Sequence, residues 1–229
     1  MRRLVLFDID GTLLNAGGAG KRAVTQALHE VYGETGAVER YNMAGRTDPQ
    51  ILREVLGQAG LDEERIQAGM DAFWDVYIRV LRDTLDPSAV KALPGAAALV
   101  DRVEAADETV LGLLTGNVLE GARIKVDAAG LGFERFQVGA YGSDHGDRAQ
   151  LPAIAVRRAK ERTGVEFSRK QIVIIGDTPF DISCGEALGV RTIATATGTY
   201  DREALAACHP DHLFDDLADT EAVWRAITD

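Results

Sequence analysis

Apolar residues recur along this chain in two rhythms. Short apolar-rich runs at Leu4 to Phe7, Thr109 to Leu114, Phe136 to Ala140, Gln171 to Ile175 and Arg191 to Ala194 end at breakers, as buried parallel strands do. A weaker run covers His212 to Phe214. Between them the apolar spacing changes to three and four residues, which predicts helices. Lys21 to Tyr32 places Ala23, Val24, Ala27, Leu28 and Val31 on one face, closed by Gly33 and Gly36. A second helix starts near Asp48-Pro49, with Asp48 as the cap and Pro49 in the first turn. A third runs from Asp62 to Asp83, its stripe Ile66, Met70, Phe73, Tyr77 and Leu81 widened by Trp74 and Ile78. That aromatic face reads as helix-bundle core rather than a ligand box.

Further on, helices are predicted over Ala96 to Glu104, Val118 to Ala129, Ala149 to Arg162, Phe180 to Leu188 and Thr220 to Ile227. The strands alternate with these, so the fold class is α/β, a doubly wound, mostly parallel sheet. Residues 15–88 break the alternation and are helical throughout. They read as an all-helical cap inserted into an α/β core made of 1–14 and 89–229. The Gly17-Gly18-Gly20 stretch and Leu85-Asp86-Pro87 are its natural hinges.

Composition narrows the function classes. The chain has 229 residues, enough for a sizeable core, and its 46% hydrophobic and 27% charged residues are ordinary for a globular protein. A formal charge of −11 argues against nucleic-acid or anionic-membrane partners, which select a basic footprint. No apolar run is long enough to span a bilayer, and a strand starting at Leu4 leaves no room for a signal peptide. Cys184 and Cys208 cannot form a disulfide framework and suit a reducing cytoplasm. His29, His145, His209 and His212 share no metal-ligand spacing. Oligomeric state is not legible.

The chemistry sits where strands end. Asp8-Ile9-Asp10-Gly11-Thr12 follows the first strand and puts two carboxylates two residues apart. An isolated pair of this kind is usually a solvated turn. Here Leu114-Thr115-Gly116-Asn117, Arg148 and Gly176-Asp177-Thr178-Pro179-Phe180-Asp181 follow, each at or beside a predicted strand end. In open α/β sheets such ends share one crevice. Several carboxylates together require a cation, and oxygen donors without His or Cys favour Mg2+. Asp8 is then a carboxylate nucleophile, and Asp10 is placed to protonate a leaving oxygen and later activate water. Thr115 offers a hydroxyl, the Gly116 and Asn117 amides an anion-attracting helix start, and Arg148 a fixed positive charge.

These four motifs, in this order, resemble the haloacid dehalogenase superfamily of hydrolases, and within it the phosphoglycolate phosphatase-like branch. The resemblance spans residue 4 to about 195. It implies a phosphatase working through an aspartyl-phosphate on a small phosphorylated metabolite. Asp8, the Asp10 carbonyl and Asp177 would be metal ligands, Asp181 a supporting group behind them, and Gly11 and Thr12 part of the phosphate-binding turn. Arg148 stands where the family more often has lysine. Thr178 reads as a helix cap. The segment Ala44-Gly45-Arg46-Thr47-Asp48-Pro49-Gln50 resembles the substrate-facing cap loop, with Arg46 turned to the crevice and suited to a carboxylate. The alternatives are a phosphomutase of the β-phosphoglucomutase type, a phosphonatase, for which Lys21 is the one lysine between residues 2 and 90, a 2-haloacid dehalogenase, and a non-catalytic binding protein. Asp10 counts against dehalogenation, since halide departure needs no proton. The filled set of charged positions counts against a non-catalytic scaffold.

Overall fold

The computed structural model describes residues 2–229; residue 1 of the expected core segment lies outside it. In chain order the elements are β1 (Arg3–Phe7), β2 (Leu14–Asn15), α1 (Ala19–Tyr32), α2 (Asp48–Gln58), α3 (Glu63–Thr84), β3 (Lys91–Ala92), α4 (Ala96–Ala105), β4 (Thr109–Leu114), α5 (Leu119–Ala128), β5 (Val138–Ala140), α6 (Leu151–Thr163), β6 (Ile172–Gly176), α7 (Pro179–Ser183), β7 (Arg191–Thr195), α8 (Arg202–Ala206), β8 (His212–Phe214) and α9 (Thr220–Thr228). Six strands form one sheet in the order β5-β4-β1-β6-β7-β8, every pairing parallel. This is the expected α/β class.

Strand alternation divides the sheet's side chains between two layers. Val5, Phe7, Leu111, Leu113, Val173 and Ile175 pack with α4, α5 and α9 on one face. Leu4, Leu6, Val110, Leu114, Ile172 and Ile174 pack with α6 on the other. Both faces are therefore covered, which is why these strands read as unbroken apolar runs. Helices α1, α2 and α3 form a separate cluster around Leu28, Leu52, Leu56, Phe73 and Leu81, joined by Val118 from the loop before α5.

Register places the site. Phe7 lies opposite Leu113 on one side and Ile175 on the other. Asp8, one residue further on, and Thr115 and Asp177, two residues further on, therefore emerge together at one sheet edge. The Asp8 amide donates to the Ile175 carbonyl at 2.9 Å, carrying the pairing one step past β1.

Several local expectations are corrected. Both connections to the helical segment pass through a two-stranded antiparallel ribbon, β2 with β3, that local periodicity does not reveal. Thr47, not Asp48, caps α2: its backbone is extended and its hydroxyl accepts from the Gln50 amide at 3.2 Å. Asp48 is instead the first helical residue. The helix expected over 180–188 ends at Ser183 and resumes as a separate turn at Glu186–Leu188, broken around Gly185.

Candidate active site

The edge of β1, β4 and β6 opens into a cavity of about 490 Å³. Asp8 and Asp177 line its floor and Asp181 lies close behind them; all three are buried, with carboxylate oxygens within 4.8 Å of one another. Arg148, in the short 3-10 turn before α6, lies against two of them. Its Nη2 is 3.2 Å from Asp8 Oδ1 and donates to Asp181 Oδ1. The basic residues that follow Arg148 in the sequence point elsewhere: Arg158 forks onto Asp144, while Arg157 and Lys160 pair with Glu161 and Glu166 at the surface.

Asp177 is held in a cradle that only small backbone groups permit. Gly11 has φ +87°, and a Cβ there would stand 2.4 Å from Asp177 Oδ2. A Cβ on Gly198 would stand 1.7 Å from the same oxygen. Thr12 donates its hydroxyl to Asp177 Oδ1 at 2.9 Å, so it acts on the carboxylate. Asp181 accepts from the Thr178 amide at 3.0 Å and hydroxyl at 2.7 Å, tying its second oxygen to the start of α7.

Three carboxylates against one guanidinium leave the floor short of positive charge. Burial pushes the Asp8 carboxyl up to about 7 even though Arg148 pulls it back, with Asp181 and Asp10 adding repulsion. Burial, then Asp181 and Asp8, raise Asp177 well above the usual carboxylate range. The donor set is all oxygen, buried and convergent, so it fits a hard metal ion.

Asp10 is turned from this floor. Its Oδ2 accepts from Asn117 Nδ2 at 2.9 Å and from Lys125 Nζ at 2.6 Å. Thr115, fully buried, has its hydroxyl bridged by Asn117, whose amide and side-chain nitrogens approach at 3.3 and 2.9 Å. The expected anion-binding helix start at Gly116 and Asn117 differs from this arrangement. Val118 is extended and α5 begins only at Leu119. The carboxylate at that terminus is the protein's own: Asp48 Oδ2 accepts from the Val118 amide at 2.8 Å.

The roof comes from the helical segment. The Asp48 amide donates to the Gly116 carbonyl at 2.7 Å, and the Thr47 hydroxyl donates to the Gly146 carbonyl at 2.5 Å. Arg46 faces the cavity with its guanidinium 5.4 Å from the centre of the Tyr41 ring and 5.5 Å from that of Phe180. One of its nitrogens pairs with Glu54 at 3.3 Å. Tyr77, assigned to the bundle core, is buried against Phe73 and also lines the cavity.

Lys125 is the principal residue that sequence reasoning misses. The available signal is its place on the apolar stripe of α5 beside Ala122 and Val126, where a buried charge demands partners.

Comparison with known proteins agrees with this geometry. A family profile described as HAD-hydrolase-like matches residues 150–220. A phosphoglycolate phosphatase of Rhodospirillum rubrum is 29% identical over 95% of this chain and 89% of its own. One from Pseudomonas syringae pathovar tomato is 24% identical over 94% and 77%. The crystal structure of CbbY from Rhodobacter sphaeroides in complex with phosphate superposes with a TM-score of 0.72 at 20% identity, covering 96% of both chains, a likeness of fold. Among the described residues no helix is long and apolar enough to cross a membrane. Motif order, sheet order and relatives matched along nearly the whole chain converge on one resemblance: the chain is similar to hydrolases of the haloacid dehalogenase type and, among them, to phosphoglycolate phosphatases.

Proposed function

We propose that this chain is a Mg2+-dependent phosphomonoester hydrolase that works through an aspartyl-phosphate on Asp8. The observation that carries the reading is the buried trio of Asp8 and Asp177 at adjoining strand ends and Asp181 in the helix that follows, with Arg148 set against Asp8 and Asp181. Asp8 and Asp177, with the Asp10 carbonyl, would hold the metal, which when bound neutralises phosphate charge and polarises phosphorus. Asp181 keeps Arg148 and the start of α7 in place behind them.

Phosphoryl transfer depends chiefly on positioning and electrostatics. Asp8 Oδ attacks phosphorus as the ester oxygen departs, and Asp10 supplies that oxygen with a proton. Water then attacks the phosphoenzyme and returns its proton to Asp10. Arg148, Thr115 and Asn117 face the equatorial oxygens. Residues 15–88 act as a cap over a core of 1–14 and 89–229, with the β2–β3 ribbon as its hinge. On that cap Arg46 has a single ion-pair partner among the described residues, leaving most of its fork for a substrate carboxylate. A small phosphorylated acid is the substrate class, and phosphoglycolate, on which the named relatives act, is the first to try. Two free cysteines fit a cytoplasmic setting.

Asp8→Asn tests the core of this. Turnover of small phosphate esters with Mg2+ should fall by at least about 1,000-fold with circular dichroism unchanged, since the nucleophile is lost and the fold is not. Metal-dependent turnover surviving in that variant overturns the assignment.

A further inference from the structure

Lys125 projects from α5 into the site, and no step of the scheme above uses it. Its side chain is 6% exposed, so its charge depends on the partners around it, chiefly Asp10, whose own side chain is 42% exposed. Nζ donates to Asp10 Oδ2 at 2.6 Å and to Asn117 Oδ1 at 2.7 Å. Asn117 Nδ2 donates to the same Asp10 oxygen at 2.9 Å and to Thr115 Oγ1 at 2.9 Å. The three side chains thus close a triangle that anchors one Asp10 oxygen twice. Among the described residues the other oxygen, Oδ1, takes no hydrogen bond, and Asp10 lines the cavity. The cap leaves space for the arrangement: a Cβ on Gly20 would stand 3.2 Å from the Lys125 ammonium.

We infer that Lys125 is a positioning residue for Asp10, tying Oδ2 so that Oδ1 faces the reacting ester. The inference rests on the assignment of Asp10 as proton donor and acceptor. In the first half-reaction an Asp8 oxygen bonds to phosphorus, the ester P–O bond breaks, and the proton on Asp10 Oδ1 passes to the departing oxygen, which leaves as an alcohol. In the second, a water oxygen bonds to phosphorus and one of its protons returns to Oδ1. The P–O bond to Asp8 then breaks, releasing phosphate. Both transfers use one oxygen, and its direction is set by the anchoring of the other. A misplacement of about an ångström at such a donor lowers rate on the order of 100-fold.

Leaving-group dependence separates this role from a structural one. An alkyl alkoxide needs the Asp10 proton as the ester bond breaks, whereas 4-nitrophenolate departs without it. The value of kcat/KM reports steps up to that first bond cleavage. Wild type and Lys125→Met are assayed with magnesium on 4-nitrophenyl phosphate. They are also assayed on the best alkyl substrate from a panel of phosphoglycolate, glycerol phosphate and sugar phosphates. The expected result is a fall in kcat/KM of about 100-fold on the alkyl ester and no more than about threefold on the nitrophenyl ester. Asp10→Asn should show the same split. Lys125→Gln, which keeps hydrogen bonding without charge, should fall between, and it carries the test if the methionine variant does not fold. An equal loss on both esters overturns the inference while leaving the phosphatase reading intact. Absence of the split in Asp10→Asn overturns the assignment of Asp10 and this inference together. A wild type that hydrolyses neither ester removes both along with the proposed activity.

Discussion

The floor and the roof of the cavity are built in opposite ways. Asp8 and Asp177 sit one step past strands whose register is locked, Asp181 lies in the short helix that follows, and each is held by a near neighbour: Asp177 by Thr12 and two glycines, Asp181 by Thr178, Asp8 by Arg148. The roof is carried by the loop before α2, where Tyr41 and Arg46 are half-buried, and it meets the core through a few single bonds. A rigid floor suits chemistry that is the same for every phosphate ester. An adaptable roof suits recognition of the part of the substrate that varies.

The floor should therefore fail outright where the roof fails selectively. Arg148→Ala is the largest expected effect outside the nucleophile. It removes the one ion-pair partner that Asp8 and Asp181 have among the described residues, and kcat/KM should drop on the order of 1,000-fold for every ester alike, charged or neutral. Arg148→Lys should recover only part: an ammonium can stand where Nη2 meets both carboxylates, but it lacks the remaining guanidinium N–H donors. Loss confined to one substrate would show that Arg148 belongs to recognition and would erase the contrast.

Arg46→Ala probes the roof and should be selective. For phosphoglycolate, kcat/KM should fall by about 10- to 100-fold, the worth of a charge-assisted fork on a carboxylate. A neutral ester such as phenyl phosphate should change by less than about threefold. Equal falls on both would mean that Arg46 serves the cap's own packing between Tyr41, Glu54 and Phe180, and the carboxylate reading would be abandoned.

The same contrast explains what the sequence made legible. Asp8, Thr115 and Asp177 could be read because each directly follows a buried strand, and parallel pairing leaves neighbouring strand ends at one edge. The roof depends on contacts between distant segments, which no local pattern records. Leu14–Asn15 and Lys91–Ala92 are two residues each, too short for any periodicity, and become a ribbon only by meeting. Thr47 and Asp48 are both competent caps; the choice falls to Thr47 because Asp48 is drawn to the Val118 amide across the seam. Lys125 belongs to none of the strand-end motifs, and only the fold shows Asp10 and Asn117 placed to receive its charge.

The smallest effect tests the seam itself. Thr47 is fully buried, and its hydroxyl does two jobs: it accepts from the Gln50 amide to cap α2 and donates to the Gly146 carbonyl on the core. Thr47→Ala removes both and should cost about 1–2 kcal/mol in stability, the usual loss for a helix cap plus a buried bond. Its kinetic signature should be a rise in KM of about threefold with kcat nearly retained. A looser roof weakens binding before it touches the chemistry on the floor. Thr47→Ser, which keeps the hydroxyl, should restore both values. A stability loss with KM unmoved would assign Thr47 to α2 alone, whereas a fall in kcat rivalling that of Arg148→Ala would mean that roof and floor are one rigid unit.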